Sequence, residues 1–242
     1  MKKLKINSDV GEGVFKEDAL MPFLNSCSIA CGGHYGDIQT MTKTANLAIS
    51  HGVNIGAHPS YPDKINFGRK EMFISPNELK DSLYNQISSL LLVLNSLGVD
   101  NLDHIKAHGA LYHKCFVDVE TARSFINVVK SFENVKVLAP YKSVLAKIAK
   151  ENGVKVDYEV FLDRNYNDDY TLVSRDKKNS MLENGLEMSR RYKMILNESK
   201  VKTISNNFID IVGDTFCIHG DTNNSHILLS NFYDNYFFND KS

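Results

Sequence analysis

The chain has 242 residues, of which 43% are hydrophobic and 24% charged, and its formal net charge is −1. This balance is that of a globular protein able to bury a sizeable core; it excludes a disordered chain and offers no broad cationic surface for nucleic acid or an anionic membrane. The N-terminal MKKLKINSDV lacks the apolar stretch of a signal peptide, and no run reaches the ~20 apolar residues of a membrane span, so a cytoplasmic protein is expected.

In chain order, the first strand is expected over LKINSDV and the second over CSIACGG. A helix then starts near Asp37, a candidate N-cap, runs through Met41, Ala45 and Ala48, and stops at Gly52. VNIGAHP is the third strand. Residues 75–97 have the clearest helical period, with Leu79, Leu83, Ile87, Leu90, Leu91, Leu94 and Leu97 on one apolar face. Ser75-Pro76-Asn77-Glu78 supplies an N-cap, a first-turn proline and a capping-box glutamate, and Gly98 supplies the stop. HIKAHGA, VKVLAP, KVDYEVFLD and TFCIHGD complete the strand set, and further helices fit 117–131 and 140–151.

Strands alternating with helices imply βα units and a parallel sheet, either an open doubly wound sheet or a closed barrel. No Gly-x-Gly-x-x-Gly follows the first strand and no P-loop occurs. Polar clusters end nearly all the strands, whereas an open sheet concentrates them at one crevice. A seven-stranded TIM-like α/β barrel occupying residues 1–242 as a single domain is the expected architecture, because no linker, repeat or low-complexity segment marks a boundary. The four cysteines, Cys27, Cys31, Cys115 and Cys217, lack zinc-site spacing and read as free buried thiols.

Ionisable residues follow the expected strands with regularity: Asp9 and Glu12, His34 and Asp37, His58 and Asp63, Lys106 and His108, Glu159 with Asp163 and Arg164, then His219 and Asp221. In a βα barrel such positions converge on the C-terminal mouth. Taken singly, each has a bland reading. A strand-end histidine is more often a hydrogen-bonded structural residue than a catalyst, Asp37 can do no more than cap a helix, Pro59 can simply stop a strand, and Arg164 and Arg175 can be surface charges. Jointly, His34, His58, His108 and His219, each beside Gly or Pro at a strand end, point to a catalytic or binding face.

Two chemistries fit that face. Asp9, His34 and His58 are candidate ligands for a divalent metal that activates water. The alternative is metal-free acid–base work, in which Glu159 or Asp9 activates water and a histidine protonates the leaving group. Lys106, Arg164 and Arg69 would then provide positive charge for an anionic substrate or phosphorylated intermediate.

The stretches INSDVGEG, SIACGGHYGD, IGAHPSYPD with FGRK, IKAHGALYH, EVFLDRNY with LVSR, and CIHGD resemble, in order and spacing, the signatures of the LamB/YcsF family, the A component of bacterial ATP-dependent 5-oxoprolinase. The resemblance runs from about residue 5 to residue 223. It implies a barrel of the glycoside hydrolase/deacetylase type that works with 5-oxoprolinase subunits B and C to open 5-oxo-L-proline to L-glutamate as ATP is hydrolysed. It implies ATP, and a divalent metal as magnesium for ATP or as a site ion. Carried over residue by residue, it assigns Asp9, Glu12, His58, His108, Glu159, His219 and Asp221 to catalysis. It assigns His34, Asp37, Asp63, Arg69, Lys106, Asp163, Arg164 and Arg175 to substrate binding. Lys5, Ser28, Gly33, Tyr35, Ala107 and Tyr170 depart from the family's usual residues, the last standing in place of a glycine, which bears on substrate fit more than on reaction type. The competing readings are a metal-dependent carbohydrate deacetylase and a non-catalytic component that binds a lactam or sugar.

Overall fold

The computed structural model describes residues 4–13, 16–220 and 225–238. Asp221 lies outside the described residues. Strand β1 (Ile6–Val10) leads through the short helix α1 (Glu17–Leu20) to β2 (Ser26–Ala30), α2 (Ile38–Ser50), β3 (Asn54–His58), α3 (Pro76–Ser96) and β4 (His104–Ile105). Helices α4 (Gly109–Val117) and α5 (Val119–Val129) precede β5 (Lys136–Pro140), α6 (Val144–Glu151) and β6 (Lys155–Phe161). Helix α7 (Gly185–Glu198), an antiparallel pair β7 (Lys200–Lys202) and β8 (Phe208–Asp210), strand β9 (Thr215–Cys217) and helix α8 (Ser225–Phe238) complete the chain.

Among the described residues, β1–β6 and β9 close into a barrel, every adjacent pair parallel. Closure joins the two ends of the chain: Ile6 and Asn7 of β1 register with Phe216 and Cys217 of β9. The expected seven-stranded barrel is therefore the observed one. Helix α3 begins as its sequence requires, with the Ser75 hydroxyl accepting from Glu78 N–H and Glu78 reaching back to Ser75 N–H. Its buried stripe of Leu79, Leu83, Ile87, Leu90 and Leu94 packs into the apolar layer between helices and barrel. All four cysteines are free and buried.

The barrel interior is polar. Asn7 Nδ2 donates across to Thr215 Oγ1 at 2.8 Å, Ser28 Oγ lies 2.9 Å from His104 Nε2, and Asp103 Oδ2 holds His104 Nδ1 at 2.9 Å. Gly56 is required here: a Cβ at this position would stand 2.3 Å from His104 Nε2, so only glycine admits the imidazole. Packing thus leaves space for polar side chains stacked from the barrel centre to its mouth.

Three features depart from the sequence expectation. HIKAHGA is a strand only at His104–Ile105, because Gly109 opens α4 immediately after His108, although Lys106 N–H and His108 N–H still bond to the Ala57 and Pro59 carbonyls. Helix α7, which buries Met188, Tyr192 and Ile195 at helical spacing on an otherwise polar helix, and the three-residue strands β7 and β8 are not among the expected elements. Helix α8, SHILLSNFYDNYFF, has apolar residues on all sides and therefore no single-face period.

Candidate active site at the barrel mouth

The end of β3 delivers His58, and the segment leaving β4 delivers Lys106 and His108 on alternate positions, so all three point into the barrel. Lys106 is 1% exposed and sits between two carboxylates, with Nζ 2.9 and 3.0 Å from the Asp9 oxygens and 2.8 Å from Glu159 Oε1. Its ammonium also lies 3.3 Å from Cys217 Sγ and 5.0 Å over the Phe161 ring. Burial opposes the charged form, but Asp9 and Glu159 outweigh it and hold Lys106 well above the ordinary lysine range, as an ammonium. Asp9, despite burial, is held well below the usual carboxylate range by His58 and Lys106. Tyr112 donates its hydroxyl to Glu159 Oε2 at 3.0 Å.

Above this layer Glu12, His34, His58 and His108 converge, with one ligand-capable atom from each lying within 4.8 Å of the others. Glu12 Oε1 is 2.9 Å from His34 Nε2, 3.2 Å from His108 Nδ1 and 3.7 Å from His58 Nε2. His34 stacks on His108 at 3.6 Å. Burial presses His34 down to about 4 and lowers His108, while the contacts with these two rings hold Glu12, despite burial, below the usual carboxylate range. His58 Nδ1 donates to the Lys106 carbonyl at 3.0 Å, and His108 Nε2 donates to the Phe67 carbonyl at 2.9 Å. Both rings are thereby oriented by backbone, with their second nitrogens turned to the cluster.

A third group comes from β6 and β9. Asp163, fully buried, accepts from His219 N–H at 2.8 Å and holds His219 Nδ1 at 3.0 Å, which leaves Nε2 for the mouth. Burial resists ionisation of Asp163, but the His219 contacts keep its carboxyl below the usual range. Phe161 stacks against the His219 ring with centroids 5.0 Å apart.

These groups open onto one cavity of about 260 Å³. Asp9, Glu12, His58, Lys106, His108 and His219 line it, and Arg69, Arg164 and Arg175 stand around it. The structure therefore brings together most of the strand-end residues singled out from sequence. Two substrate-binding assignments lie elsewhere. Asp37 is an exposed N-cap whose Oδ1 accepts from Thr40 N–H at 2.8 Å. Asp63 accepts from Asn66 N–H and Nδ2, closing the turn that presents the Phe67 carbonyl to His108. Asp163 stands behind His219, Glu159 behind Lys106 and His34 beneath His108, so none of the three lines the cavity. The metal-capable set also shifts: Glu12 and His108 join His34 and His58, whereas Asp9 is engaged by Lys106. Tyr112 and His113 also line the cavity; they close the IKAHGALYH stretch but are not among the expected site residues, because α4 begins where a strand was expected.

The fold and the site define a βα-barrel protein with an acid–base cluster at the carboxyl ends of its strands. The chain belongs to the LamB/YcsF family, whose model matches residues 4–235. It is 42% identical over 228 residues to the A component of the 5-oxoprolinase of Campylobacter jejuni subsp. jejuni serotype O:6, a match covering 91% of this chain and 89% of the relative. It is 38% identical over 225 residues to the corresponding A component of the 5-oxoprolinase of Pyrococcus abyssi, covering 90% and 88% of the two chains. A solved lactam utilization protein from Thermus thermophilus superposes with a TM-score of 0.88 at 32% identity, over 96% of this chain and 95% of that one. Among the described residues no helix is long and apolar enough to cross a membrane.

Proposed function

We propose that this chain is the lactam-opening subunit of an ATP-dependent 5-oxoprolinase, converting 5-oxo-L-proline to L-glutamate in a complex with subunits B and C. The observation that carries the reading is the cavity lined by Asp9, Lys106, His219 and three arginines, with Glu159 paired to Lys106 and Asp163 to His219 behind it. The names of the relatives support the lactam as substrate.

A five-membered lactam is a resonance-stabilised amide and a poor electrophile. Phosphorylation of its carbonyl oxygen by ATP would make the carbon open to water. Arg69, Arg164 and Arg175 then take the substrate carboxylate and the phosphoryl charge. Asp9 or Glu12 accepts the proton of the attacking water; the carbon–nitrogen bond breaks as His219 Nε2 delivers a proton to the departing nitrogen, and the acyl phosphate so formed is hydrolysed by a second water to the side-chain carboxylate and inorganic phosphate. Asp163 accepts from His219 Nδ1–H, aims Nε2 at the departing nitrogen and offsets the charge of the doubly protonated ring that gives this proton. Lys106 helps keep Asp9 ionised throughout.

Glu12, His34, His58 and His108 also fit a divalent ion. His58 and His108 spend one nitrogen each on a backbone carbonyl, and His34 Nδ1 is buried without a hydrogen-bond partner among the described residues. The spacings around Glu12 Oε1 are near the ligand–ligand separation of about 3.3 Å that tetrahedral zinc bond lengths imply. An ion held there would polarise a carbonyl and acidify a bound water.

The test is to combine the purified chain with subunits B and C and follow glutamate and phosphate from 5-oxo-L-proline and ATP. Release of both in equal amounts is expected. Hydrolysis that ignores ATP and vanishes with a chelator would instead establish a metal-dependent hydrolase.

A further inference from the structure

Beside the cavity lies a second, apolar space of about 70 Å³ that the proposed reaction does not use. By the space one water needs, this is room for roughly five or six water-sized volumes, enough for one small alkyl group or ring. It shares Tyr112, His113, Phe161 and Leu172 with the cavity, so the two are contiguous at the mouth. Its far wall is built from Tyr141, Tyr166 and Tyr170. Glu159 and His113 also reach this wall; Tyr112 donates to Glu159, the Tyr166 oxygen accepts from Phe161 N–H, and the Tyr170 oxygen accepts from Lys142 Nζ at 2.7 Å. An occupant thus meets mainly ring faces and aliphatic side chains, with three of the four tyrosine hydroxyls already bonded within the protein.

Tyr170 holds this wall at a conformational cost. Its φ is +71°, a left-handed angle that a bulky side chain adopts rarely and a glycine adopts freely. Its contact partner Lys142 is also left-handed, at φ +60°, and its ammonium lies 4.5 Å over the Tyr170 ring. Two strained residues clasp one another so that an aromatic ring closes the space that glycine would leave open.

We propose that Tyr170 is a specificity-determining residue and that the annex it closes accepts an apolar substituent on the lactam, so that the ligand class extends to alkyl- or aryl-substituted 5-oxoprolines. This rests on the lactam reading of the main cavity. Continuity through Tyr112 and Phe161 lets one ligand keep its carboxylate among the arginines while its substituent enters the annex.

Binding to the full chain is measured by calorimetry for 5-oxo-L-proline and for analogues carrying an ethyl or phenyl group at ring carbon 3, ring carbon 4 or the ring nitrogen. At least one analogue is expected to bind about tenfold more tightly than the parent, the gain that burying two methylene groups gives. In Tyr170→Gly, which relieves the backbone, the analogue-to-parent ratio should fall to near one, and in Tyr170→Phe, which keeps the ring, it should persist. A wild-type ratio near one for every analogue, or a ratio that Tyr170→Gly leaves intact, overturns the proposal. Loss of ATP-dependent glutamate release in the reconstituted complex, with analogue preference retained, would instead remove the 5-oxoprolinase reading and leave the annex standing.

Discussion

His58 Nε2 and His108 Nδ1 stand 3.0 Å apart, although each ring has already committed its other N–H to a backbone carbonyl. In two neutral rings of that tautomer both facing nitrogens carry lone pairs, and lone pairs at this distance repel. The contact therefore calls for a cation between them, a shared proton or a metal ion, with Glu12 ionised alongside.

The metal alternative is checked by titrating chelator-treated protein with zinc, manganese or magnesium and reading the melt. One equivalent bound at a hundred times its Kd should stabilise the fold by about 2.7 kcal/mol. His108→Ala should abolish the increment, and an unchanged melt with all three ions would leave a shared proton as the occupant.

Lys106 neutralises two buried carboxylates, so Lys106→Met should cost about 3–5 kcal/mol, since Asp9 and Glu159 would remain buried without their partner. Denaturant unfolding measures this. The triple variant Asp9→Asn, Glu159→Gln, Lys106→Met should recover much of the loss; a loss that persists would locate it in packing rather than charge.

Asp163 acts through His219, and Asp163→Asn should lower turnover by roughly two to four orders of magnitude at temperatures where the variant is still folded, alongside some loss of stability near neutral pH. Because its folded-state pKa is depressed, Asp163 contributes stability above the unfolded value of about 3.9 and loses it as pH falls through the lower folded value. Asp163→Asn should therefore flatten the acid limb of the stability curve below about pH 4. Turnover unaffected by the variant would remove His219 from the chemistry.

Gly56→Ala would drive a methyl group into the His104 ring and should cost about 1–3 kcal/mol. Adding His104→Ala should restore part of it, a coupling that a double-mutant cycle isolates. Additive losses would show that the ring is not the obstacle.

Much of the scaffold is legible along the chain. The βα alternation, the capping box at Ser75 and Glu78, and the leucine stripe of α3 are local patterns, and local hydrogen bonding and periodicity produce them in the structure as expected. Helices α4 and α8 are not legible, since α4 begins inside an apparent strand and α8 is apolar on every side; α7 does carry a helical period, in Met188, Tyr192 and Ile195, but is not among the expected elements.

At the mouth, period-two alternation fixes that Lys106 and His108 share a direction and that the strands end on ionisable residues. Only barrel closure selects which of those residues meet. It sets Lys106 between Asp9, from 97 positions earlier, and Glu159, and it puts Asp163 behind His219 across 56 positions. It also leaves Asp37 and Asp63 shaping local turns, a role that looks the same in sequence as a place at the site. Alternation is a property of neighbouring residues, whereas pairing across the barrel depends on how all seven strands register. The supply of charges at the strand ends is thus written in the chain, and their partners are chosen by the closed barrel.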